Sequence, residues 1–260
     1  MAYETIACAV EGGIARVTLA RPEVRNAFDE RLIRELRAVF EELGSRDDVR
    51  AIVLAGEGKA FCGGADVRWM RASLDLTEDE NVADARAMSE MFRAIDRCPK
   101  PTIARVHGVA LGGGAGLAAV CDVVIAASDA LFGFTEVKLG IIPAVISPFV
   151  IAKIGVSHAR ALFLTGERFG ATRAQAIGLV HDVVEAGALD AAVDRVLDEL
   201  RTAAPSAVAA AKRLVAQVRE ASYDATRDLT AAAIAAQRIS PEGQEGLRAF
   251  LERRPASFAR

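Results

Sequence analysis

An α/β core followed by a helical C-terminal region is the fold that the sequence predicts, and three observations predict it. Short apolar runs of strand length alternate with glycine-rich loops and amphipathic helices at least twice, the pattern of parallel strand pairing. After about residue 187 the strand signal stops and alanine-rich helical periodicity takes over. Of the 260 residues, 52% are hydrophobic and 26% charged, enough apolar material for a large core in a chain that still dissolves. The spacing divides the chain into a core over 1–195 and a helical region over 196–260.

Taken in order, the first twenty residues give two strands around Gly12-Gly13, with Val17 and Leu19 alternating against Arg16, Thr18 and Ala20. Arg21-Pro22 ends the second. Asp29 reads as the N-cap of a helix whose apolar face is Leu32, Ile33, Leu36, Val39, Phe40 and Leu43, with Gly44 as the stop. Val49–Leu54 is a buried parallel strand, and a glycine-rich loop over 56–64 leaves it. Thr77 with Glu80 forms a capping box that opens a helix carrying Met88, Met91, Phe92 and Ile95 and stopping at Pro99. A strand over 102–106, glycines 112–114, a helix and a strand over 123–126 repeat the pattern. Ser147-Pro148 is a cap with proline at the first helical position. Helices follow at 189–200, 206–218, 226–238 and 241–253, with Ser206 and Ser240 as caps.

Composition excludes several function classes. A net charge of −3 gives no global positive field for nucleic acid. No apolar run reaches the length of about 18 residues that a membrane helix needs. Cys8, Cys62, Cys98 and Cys121 are scattered without metal-ligand spacing to His107, His158 or His181, so no structural metal is expected. Met1 to Val10 carries no basic-then-apolar secretory pattern. A cytoplasmic protein with four reduced thiols is the expectation.

Three phosphate or nucleophile motifs fail on inspection. Gly58-Lys59-Ala60 lacks the hydroxyl residue of a P-loop, and the glycines from Gly112 onward place Leu117 where a dinucleotide fingerprint needs glycine. Gly155-Val156-Ser157-His158-Ala159 misses the last glycine of a hydrolase elbow, and Ser157 reads more simply as a helix cap. What remains is a pair of glycine-rich turns, each leaving a buried strand: Ala60 to Asp66, and Gly108 to Gly114. Such loops can aim two main-chain N–H groups at one oxygen, an oxyanion hole suited to a thioester that becomes an enolate. They can equally serve tight turns and close helix–strand packing.

The whole constellation resembles the crotonase (enoyl-CoA hydratase/isomerase) superfamily over nearly the full chain. The residues that carry the resemblance are Arg21-Pro22 through Asn26-Ala27; Ala60-Phe61-Cys62-Gly63-Gly64-Ala65-Asp66; His107-Gly108 with Leu111 to Gly114; Cys121-Asp122; Phe132-Gly133 with Glu136 and Leu139-Gly140; Leu164-Thr165-Gly166; and Gly178-Leu179-Val180. The resemblance implies a spiral of ββα units with a helical trimerisation region. It places the oxyanion donors on the N–H groups of Ala65 and Gly113. Coenzyme A contacts fall near Arg25, Gly63, Ala65, Asp66 and Val67, with Arg68 as a further cation for the phosphates. Phe250 and Arg253 match a pattern that touches CoA, often from a neighbouring subunit. No cofactor is implied, because CoA is part of the substrate.

Two glutamates commonly serve hydration in this superfamily, and the resemblance assigns one to Glu136. Its sequence neighbours Phe132, Phe134, Ile141 and Ile142 form an apolar setting that would raise its pKa towards neutrality. The position of the second glutamate holds Gly116, which suggests that space matters there, for an acyl chain or a water. The implied activity is a 2-enoyl-CoA hydratase. Ile142-Pro143-Ala144-Val145-Ile146-Ser147-Pro148 together with Gly116 resembles the branch that acts on methylglutaconyl-CoA and related branched acyl groups, as in branched-chain amino acid or fatty acid degradation. A Δ3-Δ2 enoyl-CoA isomerase working with the single glutamate, and a non-catalytic acyl-CoA-binding member, are the alternatives. An acyl-CoA is the implied ligand and a homotrimer or dimer of trimers the implied assembly. The polar segment from Ser73 to Asp79 is expected to be mobile beside the site.

Overall fold

Apolar alternation and a glycine pair build the N-terminal hairpin. In the computed structural model, which describes residues 3–259, β1 (Ile6–Glu11) pairs antiparallel with β2 (Ile14–Leu19) across the Gly12-Gly13 turn, Ile6 opposite Leu19. From β2 the ladder turns parallel through β3 (Ala51–Gly56), β4 (Thr102–Val106), β6 (Val123–Ala127) and β9 (Asp182–Val184), giving a six-stranded sheet in the order β1-β2-β3-β4-β6-β9. Alternation on β3 explains why its sequence is apolar throughout. Ile52 and Leu54 enter one core with the helices of the glycine-loop side, while Ala51 and Val53 enter a second core under the opposite face. A second, three-stranded sheet joins β5 (Val109–Leu111), β7 (Leu131–Gly133) and β8 (Arg168–Gly170).

The long helices follow their sequence signals. Asp29 accepts a 2.8 Å bond from the Leu32 N–H at the start of α1 (Glu30–Ser45), whose six predicted apolar residues are all buried. After α2 (Val67–Ala72), the capping box forms at α3 (Glu78–Asp96), with the Thr77 N–H donating to Glu80 at 2.8 Å. The Ser73–Asp79 segment thus forms a 3₁₀ turn and a capped helix start. Helix α4 (Gly113–Val120) is buried on every side from Gly114 onward, which suits its uniformly small and apolar sequence. Helices α5 (Ser147–Thr165), α6 (Ala171–Ala176) and α7 (Leu189–Thr202) complete the core, with α5 broken at Gly155 (φ 74°, ψ 163°). Residue 195 lies inside α7, whose Leu189, Ala192, Val193 and Leu197 are buried in the second core. Beyond it, α8 (Pro205–Glu220), α9 (Tyr223–Ile239) and α10 (Pro241–Glu252) pack on one another. They leave Val215, Tyr223, Ile239, Phe250 and Leu251 more than two-thirds exposed.

The fold class is as expected: a mixed α/β core with a helical C-terminal region. Several local assignments differ. Ser147 occupies the first turn of α5 and donates to the Ala144 carbonyl at 2.7 Å instead of capping. Ser206 sits inside α8 because Pro205 already fixes the first helical residue; its hydroxyl donates to Glu242 at 2.5 Å. Ser157 lies within α5, two residues past the Gly155 break. Ser240 does cap α10, accepting from the Gly243 N–H at 3.0 Å. The four unpredicted strands, β5, β7, β8 and β9, are three residues each, too short for alternation to register.

Candidate active site

Two loops are stitched together before any side chain matters. The Phe61 N–H donates to His107 O at 2.9 Å, Cys62 N–H to Val109 O at 3.1 Å, and Leu111 N–H to Cys62 O at 3.1 Å. On the other side of the first loop, Phe28 N–H donates to Gly64 O at 2.7 Å and Asp66 N–H to Phe28 O at 2.8 Å. Those bonds use the groups flanking Ala65, so its own N–H projects away from Phe28. Asn26 anchors the loop from beneath. Fully buried, it donates to Glu57 O at 2.9 Å and Ala60 O at 2.8 Å and accepts from the Arg21 N–H at 2.9 Å. This is the physical content of the Arg21-to-Asn26 motif.

Gly112 precedes α4 at φ 52° and ψ −122°, a backbone state that only glycine adopts readily. The helix therefore begins at Gly113, whose N–H is one of the orphan donors of a helix start. Neither the Ala65 nor the Gly113 N–H has an acceptor among the described residues. Both residues line one cavity of about 430 Å³.

Glu136 reaches the same cavity from the turn after β7. Pairing of Leu111 with Gly133, reinforced by a 2.8 Å bond from the Gly112 N–H to Gly133 O, sets that turn against the start of α4. A Cβ on Gly112 would stand 3.1 Å from Glu136 Oε1. The other oxygen, Oε2, is buried with no hydrogen-bond partner among the described residues. Burial pushes the carboxyl pKa up, against a weaker opposite pull from its own main chain. The apolar surroundings divide in two. Phe134 is buried and packs edge-on to Phe163 at 5.3 Å, whereas Ile141 and Ile142 are exposed at 55% and 71% along the cavity wall.

The space at Gly116 is taken by the protein itself. A Cβ there would lie 2.4 Å from Ile146 Cγ2 and 3.2 Å from Phe92 Cζ. Ile146 is 2% exposed. The expectation that Gly116 leaves room for acyl chain or water is corrected: its missing side chain admits the branch of Ile146, which fills the place a second carboxylate would need.

Of the residues matched to CoA contacts, Gly63, Ala65 and Gly113 line the cavity. Arg25 is exposed beside Gly63, whose N–H donates to Arg25 O at 2.8 Å. Val67 and Arg68 are exposed on the first turn of α2. The Asp66 carboxylate is committed to structure: it caps α2 through the Arg68 N–H at 2.8 Å and pairs with Arg21 at 2.8 Å. Burial would raise its pKa, but those two donors outweigh burial and hold it low. Phe250 is 81% exposed on α10 and Arg253, at φ 55°, ends that helix; neither lines the cavity within the chain.

Sequence reasoning passed over Asp84. It lines the cavity from α3, and its carboxyl pKa is raised by burial and by the nearby Glu30. A larger hollow of about 510 Å³ lies between the core and α8, where Lys212 pairs with Asp122 at 2.7 Å and Lys153 donates to the main-chain O of Cys121 at 2.6 Å.

Residues 9–260 match the enoyl-CoA hydratase/isomerase family. Enoyl-CoA hydratase ACTT6 of Alternaria alternata is 40% identical over 215 residues, covering 82% of this chain and 70% of that protein. Short-chain-enoyl-CoA hydratase of Clostridium acetobutylicum is 31% identical over 250 residues, covering 94% and 93%. The crystal structure of an enoyl-CoA hydratase from Shewanella pealeana superposes with a TM-score of 0.94 at 39% identity, covering 98% and 96% of the two chains.

Proposed function

The chain belongs to the enoyl-CoA hydratase/isomerase family, and from that membership we propose that it is an enoyl-CoA hydratase, a lyase acting on 2-enoyl-CoA thioesters. The observation that carries the reading is that Glu136, whose Oε2 is buried and has no hydrogen-bond partner among the described residues, lines the same cavity as Ala65 and Gly113, whose N–H groups have no acceptor among those residues. In the proposed reaction Glu136 takes a proton from water as the oxygen bonds to C3 of the acyl group. The double-bond electrons move to the thioester oxygen, where the Ala65 and Gly113 N–H groups hold the enolate. Glu136 then returns the proton to C2, so one water is added and the carboxylate is restored. Its raised pKa suits a group that must both take and give a proton. Arg25, Arg68 and the main chain around Gly63, Asp66 and Val67 are proposed to meet the CoA moiety, with no separate cofactor.

The exposed apolar residues of α8 to α10 support assembly as a homotrimer or dimer of trimers, in which Phe250 and Arg253 reach a neighbouring copy's CoA. A cytoplasmic setting is proposed on the sequence grounds; among the described residues no helix is long and apolar enough to cross a membrane. Methylglutaconyl-CoA was the finer expectation for the substrate. The lining offers it no counter-charge, since neither lysine, arginine nor histidine is among the described residues of the wall. A plain or branched uncharged acyl group fits better.

One observation favours a second reading. With Ile146 in place of a second carboxylate, the lone Glu136 could instead move a proton between C2 and C4 as a Δ3-Δ2 isomerase. Incubating the protein with 2-enoyl- and 3-enoyl-CoA and weighing the products separates the two, because only hydration adds mass. Tight acyl-CoA binding without turnover of either would indicate a non-catalytic member. Glu136→Gln is expected to lower kcat by about 10²–10⁴-fold while acyl-CoA binding changes little. Near-wild-type turnover in that variant removes Glu136 from the reaction.

A further inference from the structure

We propose that Asp84 sets acyl specificity at this site, favouring acyl chains that carry a hydrogen-bond donor such as a hydroxyl and rejecting chains that end in a carboxylate. The inference rests on reading the cavity as the acyl site. Among the described residues the Asp84 carboxylate has neither a hydrogen bond nor an ion pair, although it lines the cavity. Two other polar side chains of that wall are already engaged. The Asn81 amide donates to Leu76 O at 3.2 Å and Thr77 O at 3.0 Å, and the Ser73 hydroxyl donates to Met70 O at 2.7 Å. A guest or water can supply the donor that Asp84 lacks among the described residues.

The charged residues of the wall are both acids, Glu136 and Asp84. A guest carboxylate would meet two like charges and no cation in a partly dehydrated space, so it is excluded by repulsion as well as by lack of a partner. Position along α3 sets the depth. Met88, one turn further on, comes to the start of α4, where its Cε would lie 2.9 Å from a Cβ on Gly113. Asp84 stands about 6 Å along the helix from Met88. The preferred donor thus lies partway down the acyl chain, away from the thioester.

The test compares kcat/KM for hexenoyl-CoA, its terminal-hydroxy derivative and hexenedioyl-CoA in the wild type, Asp84→Asn and Asp84→Ser. The wild type is expected to prefer the hydroxy over the plain chain and to disfavour the dicarboxylate by roughly tenfold or more. In both variants the discrimination against hexenedioyl-CoA should shrink about tenfold, and Asp84→Ser guards against a folding defect peculiar to one substitution. A purely structural Asp84 would move all three substrates together. Equal use of hexenoyl- and hexenedioyl-CoA by the wild type, or unchanged ratios in both variants, overturns the proposal. The same ratios read from equilibrium binding of the saturated acyl-CoAs decide it even if no enoyl thioester is turned over, an outcome that would count against the hydratase reading alone.

Discussion

Replacing Gly116 by alanine measures directly whether Ile146 owns the place of the second carboxylate. Two terms oppose each other. Alanine in a helix interior is favoured over glycine by about 1 kcal/mol. The new Cβ, however, would sit 2.4 Å from Ile146 Cγ2 and 3.2 Å from Phe92 Cζ. Both neighbours are buried, and Ile146 is β-branched with few alternative rotamers. Overpacking of this kind costs about 1–3 kcal/mol. The net expectation is a loss of up to about 2 kcal/mol in Gly116→Ala. Ile146→Ala alone costs about 2–5 kcal/mol through the cavity it leaves. In that background the 2.4 Å contact is gone, leaving 3.0 Å to the Cβ of residue 146 and 3.2 Å to Phe92 Cζ, so Gly116→Ala should be neutral or stabilise by up to about 1 kcal/mol. The effect of one substitution therefore depends on the state of residue 146, a coupling of about 1–3 kcal/mol. Urea unfolding midpoints of the four proteins supply the cycle. If Gly116→Ala stabilises both backgrounds equally, the packing argument fails, and with it the account of the missing carboxylate.

Asn26→Ala strips the loop over 57–63 of its buried anchor. It should cost about 2–4 kcal/mol by chemical denaturation and weaken acyl-CoA binding, measured by calorimetry, because Gly63 lies on that loop and Ala65 follows it directly. Glu136 predicts a pH signature. Its folded pKa is raised, so its contribution to stability is fully present below the unfolded pKa and lost as pH rises through the folded value. Glu136→Gln, uncharged throughout, should be more stable than wild type at neutral pH and equal to it below about pH 4. A stability gap independent of pH contradicts this. Turnover should likewise fall in acid with an apparent pKa above the ordinary carboxylate range, since Glu136 must be ionised to accept a proton.

Local sequence determined much of the molecule. The Asp29 cap, the Thr77 and Glu80 box, the six-residue apolar face of α1 and the Gly12-Gly13 turn are interactions within a few residues, so their pattern survives in the linear text. The two glycine-rich loops were legible as turns for the same reason, whereas their reading as an oxyanion hole and the choice of Glu136 rested on the resemblance to a family. What distant volumes decide was not legible. That Ile146 fills the room beside Gly116, thirty residues away, depends on how α4 meets the segment entering α5. That Asp84 lines the cavity with no partner among the described residues, and that Pro205 displaces Ser206 from its capping role, likewise emerged only with the elements in place. Periodicity tells which face of a helix is apolar; only packing tells which neighbour occupies the gap, because excluded volume acts between side chains that the sequence keeps apart.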